Sequence, residues 1–154
     1  MNVSQQYRSS SSRHLVRPGG IGATAQGRSM LRGAATGAAV AAIVNAGLWA
    51  GGRATDASFL VSPPPFDTVQ VGVVLVVVKT LLAFAVGWGL LVLAARRSRR
   101  WVRAVLVAAA LVAVVSAGGP LSNAHDTATG VLLAAMHLVT GTAFLVTASR
   151  LGTR

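Results

Sequence analysis

The chain has 154 residues, of which 53% are hydrophobic and only 11% charged, and it carries a net charge of +11 with no cysteine. A soluble domain has about a quarter of its residues charged, so this composition points to a chain solvated largely by lipid, and the length fits one domain. The missing cysteines exclude disulfides, thiolate metal sites and cysteine nucleophiles, and the arginines sit in short blocks beside apolar runs, which is a topology signal rather than a nucleic-acid surface.

Residues 1–31 are polar and rich in Ser, Gly and Arg, with the low-complexity run RSSSSR at 8–13. This composition predicts a disordered basic tail. Its arginines would be drawn to anionic headgroups, each by about 1 kcal/mol near the surface, and phosphorylation of the serine run would cancel that attraction. Met30 stands just before the first apolar run, so a start there would remove the tail. A basic segment before an Ala-rich run also has the outline of a signal peptide cleaved near Ala50. Against that, the basic region would be about 30 residues long, and the apolar run suffices to span.

A membrane helix needs about 20 apolar residues. The gaps between formal charges give four such runs: 33–52, 69–95 with Lys79 inside, 103–119, and 127–149 with His137 inside. The third should stop at Gly118-Gly119-Pro120, because proline cannot continue a helix. No period-two alternation appears, so the runs read as helices. The predicted architecture is all-α, an integral membrane four-helix bundle over 32–150 with a short C-terminal tail at 151–154.

Arg8, Arg13, Arg17, Arg28 and Arg32 precede the first run, Arg96, Arg97, Arg99, Arg100 and Arg103 join the second to the third, and Arg150 and Arg154 follow the fourth. The opposite loops hold Arg53 and all three acids, Asp56, Asp67 and Asp126. The positive-inside rule then puts both termini in the cytoplasm and the loops 53–67 and 120–126 outside. The first outer loop carries Phe59, Leu60, Val61 and Phe66 around Pro63, Pro64 and Pro65. Three prolines favour an extended polyproline conformation. The apolar side chains would either lie in the headgroup layer or form a lid over the bundle mouth. Trp49 and Trp101 fit an aromatic belt at the two interfaces.

In lipid, helices associate through small residues. Gly33, Gly37, Ala41 and Asn45 recur every four positions in the first run, and Gly130, Ala134, His137 and Gly141 share one face of the fourth. Gly72, Lys79, Ala83 and Gly87 share a face of the second. Asn45, Lys79 and His137 therefore fall on packing faces and form the candidate intramembrane polar pocket. His137 should point into the bundle and bond a carbonyl or Asn45 of another helix. Lys79, the single lysine, has no acid at its depth, so it must snorkel to water, make a bundle contact or bind an anion.

No Asp or Glu lies inside any run, which argues against a proton-coupled cation exporter. A Ser116–His137 dyad has no orienting acid and no oxyanion donors, and serine in a membrane helix usually bonds its own backbone, so the chain reads as non-enzymatic. His125, Asp126 and His137 are too scattered in depth for a metal, and Asp126 or Thr127 instead caps the fourth helix. No cofactor is expected.

The four short spans, the proline-bearing loop, the arginine-rich turn and a last helix opening TGVLLAAMHLVTGTAFLV at 129–146, with MHL at 136–138, resemble an uncharacterised actinobacterial family of small four-helix integral membrane proteins, a domain of unknown function. The resemblance covers about 33–150 and brings no established activity. The chain itself reads as a small membrane protein with a structural, accessory or interaction role in the bacterial inner membrane, with the lipid bilayer and a second copy or another membrane protein as partners. The alternative is a small transporter or channel, with Asn45, Lys79 and His137 lining an outward-facing polar pocket.

Overall fold

The computed structural model describes the backbone of residues 20–152 and the side chains of 27–150. The elements run α1 Gly20–Ala54, β1 Leu60–Val61, β2 Val69–Gln70, α2 Val73–Arg97, α3 Arg99–Asn123 and α4 Thr127–Gly152. Among the described residues, four helices are long and apolar enough to cross a membrane: Gly27–Ala54, Val73–Arg97, Arg99–Asn123 and Thr127–Arg150. At 1.5 Å per residue, the 25 residues of α2 reach about 37 Å against a hydrocarbon core of about 30 Å.

Several boundaries differ from the sequence expectation, each for a local reason. Helix α1 begins at Gly20, so 20–31 is helical rather than part of a disordered tail. The segment is short of β-branched residues, and its helix continues directly into the packed span. Residues 1–19 of the expected tail, with the serine run, and the terminal 153–154 lie outside the described residues. Helix α2 starts at Val73 rather than 69, because Val69–Gln70 is spent on a strand. The arginine-rich turn is a single residue, Ser98, whose extended backbone (φ −171°, ψ 164°) ends α2 and starts α3. Helix α3 does not stop at the glycines but runs through Pro120 to Asn123. Beyond the proline the last turn is held by side chains: Ser122 Oγ donates to Gly118 O and Asn123 Nδ2 to Gly119 O, at 3.0 and 2.9 Å.

The four helices form a square, in which α1 packs on α2, α2 on α3, α3 on α4 and α4 on α1. The α3–α4 side is the tightest and the α2–α3 side the loosest. Small residues set the tight sides. A Cβ on Gly141 would fall 2.3 Å from Ala113 Cβ, and one on Gly37 would meet the Thr147 side chain. Gly87 makes room in the same way for Phe144. Helix α3 is the most exposed, with Ala117 its one buried residue and Leu111, Val114 and Val115 on its open face.

The core divides into two clusters. One, toward the arginine-rich end, joins Ala41, Phe84, Trp88, Leu91, Phe144 and Ala148, with Phe84 and Phe144 edge to face at 5.7 Å. The other, toward the loop end, joins Ala57, Phe59, Val76, Leu133 and Met136.

The first outer loop is a cap rather than an extended polyproline arm. Leu60 pairs with Gln70 and Val61 with Val69 in a short antiparallel hairpin. The prolines sit in its turn, where Phe66 N–H donates to Pro63 O at 2.8 Å and the Ser62 and Thr68 hydroxyls bond at 2.7 Å. Val61 also bridges Ala124, Ser62 N–H donates to Asn123 O, and His125 N–H donates to Leu60 O. The α3–α4 connection thus serves as a third edge of the cap. Pairing the backbone with a neighbour satisfies N–H and C=O groups that the headgroup layer would leave in competition with lipid.

The aromatic side chains of that loop part company. Phe66 is exposed, whereas Phe59 is wholly buried in the mouth of the bundle, 5.9 Å from the Trp49 ring. Phe59 has φ 53°, a left-handed conformation unusual for a large residue. Two hydrogen bonds hold it there: its N–H donates to Thr129 Oγ1, and its C=O accepts from Val71 N–H, both at 2.8 Å. Trp49 Nε1 donates to Val71 O at 2.8 Å, tying α1 to the residues just before α2.

Candidate functional site

Between the two core clusters lies a polar belt. Asn45 of α1, Thr80 of α2 and Thr140 of α4 each sit one turn from a core residue on either side: Ala41 and Trp49, Val76 and Phe84, Met136 and Phe144. The hydroxyl protons of Thr80 and Thr140 go to their own helices, to Val76 O and Met136 O, at 2.8 Å each. Both hydroxyls must therefore accept, and Asn45 Nδ2 donates to each at 2.9 Å. This arrangement fixes the amide orientation on chemical grounds. It spends both amide hydrogens and leaves Oδ1 buried without a partner. Asn45 is thus a clamp among three helices.

On the loose α2–α3 side the square does not close, and α4 is the floor of a cleft of about 950 Å³. Its roof at the loop end is Val61 and Pro63, with Pro120 and Asn123 beside them, and it runs toward the arginine-rich end as far as Leu90, Val105 and Phe144. Asn45, Lys79 and His137, the three residues singled out by sequence, all line it. Thr80, Ser116 and Thr140 line it beside them, and the rest of the lining is mostly Val, Leu, Ala and Phe side chains.

His137 departs from the interhelical bond expected of it. Its Nδ1 donates to Leu133 O of its own helix at 2.7 Å, since a carbonyl can only accept. The ring is exposed, because α2 and α3 do not meet in front of it. Nε2 has no hydrogen-bond partner among the described residues. Lys79 is likewise exposed and without a partner among the described residues. Its Cα lies six residues, about 9 Å, below the start of α2 at Val73. Ser116 also lines the cleft, but its hydroxyl donates to Ala113 O of its own helix at 3.2 Å and makes no bond to His137.

The small residues of the sequence reading take varied places. Ala41 and Ala134 are buried, Gly37 and Gly141 lie at the contacts described above, Gly33 is half-buried, and Gly130 packs against Pro120 O. The α1 stripe packs within the chain on α4, where Gly37 meets Thr147.

Of the two N-cap candidates for α4 the structure selects Asp126, and sequence reasoning missed that it also anchors the loop through Ser58. Asp126 Oδ1 accepts from Thr129 N–H at 2.7 Å, which makes Asp126 the N-cap of α4, while Oδ2 accepts from the Thr129 hydroxyl and from both the hydroxyl and N–H of Ser58. The Ser58 hydroxyl above all, then the Thr129 N–H and hydroxyl, hold this carboxyl well below the usual carboxylate range. Ser58, 68 residues away, carried no sequence signal for this pairing. His125 Nε2 bonds Ser62 Oγ at 2.7 Å on the exposed rim of the cap. Among the described residues no three His, Asp or Glu side chains gather as a metal would need.

No curated protein and no solved structure matches the chain. The model of a family of unknown function, DUF6069, matches residues 25–154, from within α1 to the last residue, and the chain belongs to that family.

Proposed function

We propose that this chain is a non-enzymatic accessory protein of a bacterial cytoplasmic membrane, with both termini inside, and that it works by holding a membrane-borne partner in the α2–α3 cleft. The cleft carries the reading: about 950 Å³ of apolar-walled space, floored by α4 and flanked by the loosest side of the bundle. Such a space in lipid suits a partner that arrives within the membrane plane. The orientation is supported by charge. Arg28, Arg32, Arg96, Arg97, Arg99, Arg100, Arg103 and Arg150 gather at one end, and Arg53 shares the other with Asp56, Asp67 and Asp126. The same arginine blocks would rest on anionic headgroups of the inner leaflet.

The transporter alternative draws on one observation, that Lys79 and His137 open into a single cleft. The mostly apolar lining around them, and the commitment of both Asn45 amide hydrogens and the Thr80 and Thr140 hydroxyls to the bundle, speak for a largely apolar occupant. With no native cysteine, Lys79→Cys and His137→Cys can be read with a membrane-impermeant thiol reagent. The accessory reading expects Lys79→Cys to label from outside, His137→Cys to stay protected, and liposomes bearing the protein to show no ion or solute flux. Labelling of both together with flux would replace it by the transporter. A reporter fused after Arg154 should be active in the cytoplasm, and a periplasmic signal would overturn the orientation.

A further inference from the structure

The cleft has a polarity that specifies its occupant. Among the described residues its lining includes one fixed cation, Lys79, and no acid. Lys79 is exposed, and no group among the described residues neutralises it. Above it, toward the loop end, lies the roof of Val61 and Pro63. Thr80 follows Lys79, and from Leu81 to Leu90 the α2 wall is apolar for ten residues, through Leu82 and Val86, a length of about 15 Å. One leaflet of hydrocarbon is about 15 Å deep, half of a core of about 30 Å. A basic group at the top of an apolar groove one leaflet long is complementary to an anionic phospholipid, with its phosphate at Lys79 and an acyl chain in the groove. A lysine without an acid partner must reach water or bind an anion, and a lipid phosphate at this depth supplies the anion within reach of a snorkelling stem. His137 Nε2, without a partner among the described residues, adds a second polar contact on the floor of the same groove.

We propose that the α2–α3 cleft is a binding site for one anionic phospholipid of the leaflet at the loop end, recognised through its phosphate by Lys79 and through one acyl chain by the apolar walls below. The proposal rests on the reading of the cleft as the working site of the protein.

The test uses the full chain in phosphatidylcholine nanodiscs with a minor fraction of a phosphatidylglycerol probe carrying a photoreactive diazirine in its acyl chain. A phosphatidylcholine probe of the same chain runs in parallel, and adducts are mapped by mass spectrometry. Adducts of the phosphatidylglycerol probe should concentrate on Val86, Leu90 and Val112, which face the cleft, over Leu111 and Val115 on the outer side of α3. Lys79→Gln, which removes no protein contact, should lower cleft labelling by about fivefold, the change that one lysine near an anionic headgroup supplies. The phosphatidylcholine probe, whose phosphate charge is offset by its own choline cation, should lose markedly less. Ala108→Trp, at an exposed position on the cleft wall, should abolish cleft labelling by either probe. Equal cleft labelling by the two probes, unmoved by Lys79→Gln, would overturn recognition of the anionic headgroup and leave the cleft as a general lipid groove. Cross-links there to a second copy of the chain would replace the lipid by a protein partner. Labelling spread evenly over cleft and outer face would overturn both the lipid site and the functional reading of the cleft.

Discussion

Asn45 of α1 donates a hydrogen bond to the Thr80 hydroxyl of α2 at 2.9 Å, and the same amide nitrogen bonds Thr140 of α4 at 2.9 Å. One side chain thereby fixes the rotation of three helices at the level between the two core clusters. In lipid the apolar clusters cannot do this by the hydrophobic effect, because tails are as apolar as the side chains they would replace.

Asn45→Ala should therefore destabilise the bundle by about 1–2 kcal/mol, the upper part of the range for interhelical bonds in membranes. The loss is limited because Thr80 and Thr140 keep their bonds to their own helices, and because the unpartnered Oδ1 leaves with the side chain. Unfolding in mixed micelles measures it. In a double-mutant cycle, Thr80→Ala and Asn45→Ala should couple, whereas Ser116→Ala and Asn45→Ala should add independently.

Gly141 and Ala113 mark the closest approach of α3 to α4. A methyl on Gly141 would lie 2.3 Å from Ala113 Cβ, an atom fixed to the backbone that cannot swing aside. Gly141→Ala should cost about 1–3 kcal/mol, the range for an overpacked contact. Gly47→Ala is the control: nothing lies within 4 Å of the added methyl, and the change should be neutral or gain a few tenths of a kcal/mol through helix propensity. Thermal unfolding of the two variants side by side checks the contrast.

The legible part of the molecule was the part governed by charge and length. Spacing between formal charges is enough to find four helices, since a buried unpaired charge is expensive in lipid. Small residues every four positions in α1, and at spacings of four, three and four in α4, pointed to Gly37 and Gly141, because close helix approach requires small side chains. The cap was legible only as one of two alternatives, a lid over the bundle mouth, and its hairpin was not legible at all. A two-residue strand has no periodicity to read, and Pro63, Pro64 and Pro65 suit a turn as well as an extended arm. Nothing local marks Ser58 as the partner of Asp126. His137 was misplaced for a related reason: a helical wheel shows that a residue shares a face with small residues, but not that the facing pair, α2 and α3, stand apart there.

The Asp126 network gives the cap a pH dependence of definite sign. The folded state binds the carboxylate form, so the folded pKa is lowered from the ordinary 3.8. The stabilisation is complete above that ordinary value and is lost as pH falls below it toward the depressed folded value. Thermal stability of the wild type should fall between pH 4 and strongly acidic conditions, while Asp126→Asn should start lower and show a flatter profile. Ser58→Ala, which removes the largest contributor, should take a middle course.

Phe59 joins burial to backbone strain, and two substitutions separate them. Phe59→Ala empties the mouth of the bundle where the ring packs with Trp49, Leu133 and Met136. It should cost about 3–5 kcal/mol, as buried Phe truncations do. In an ordinary strand or loop, glycine would be worse still than alanine, because it loses more chain entropy on folding. At φ 53° the order should reverse. A left-handed conformation costs a residue with a Cβ roughly 1–2 kcal/mol and costs glycine almost nothing. Phe59→Gly should therefore equal Phe59→Ala in stability or exceed it by up to about 1 kcal/mol. If glycine proves clearly the worse of the two, the left-handed turn into β1 is not what holds the ring in the bundle mouth. The Thr129 and Val71 hydrogen bonds would then be following the side chain rather than setting its place.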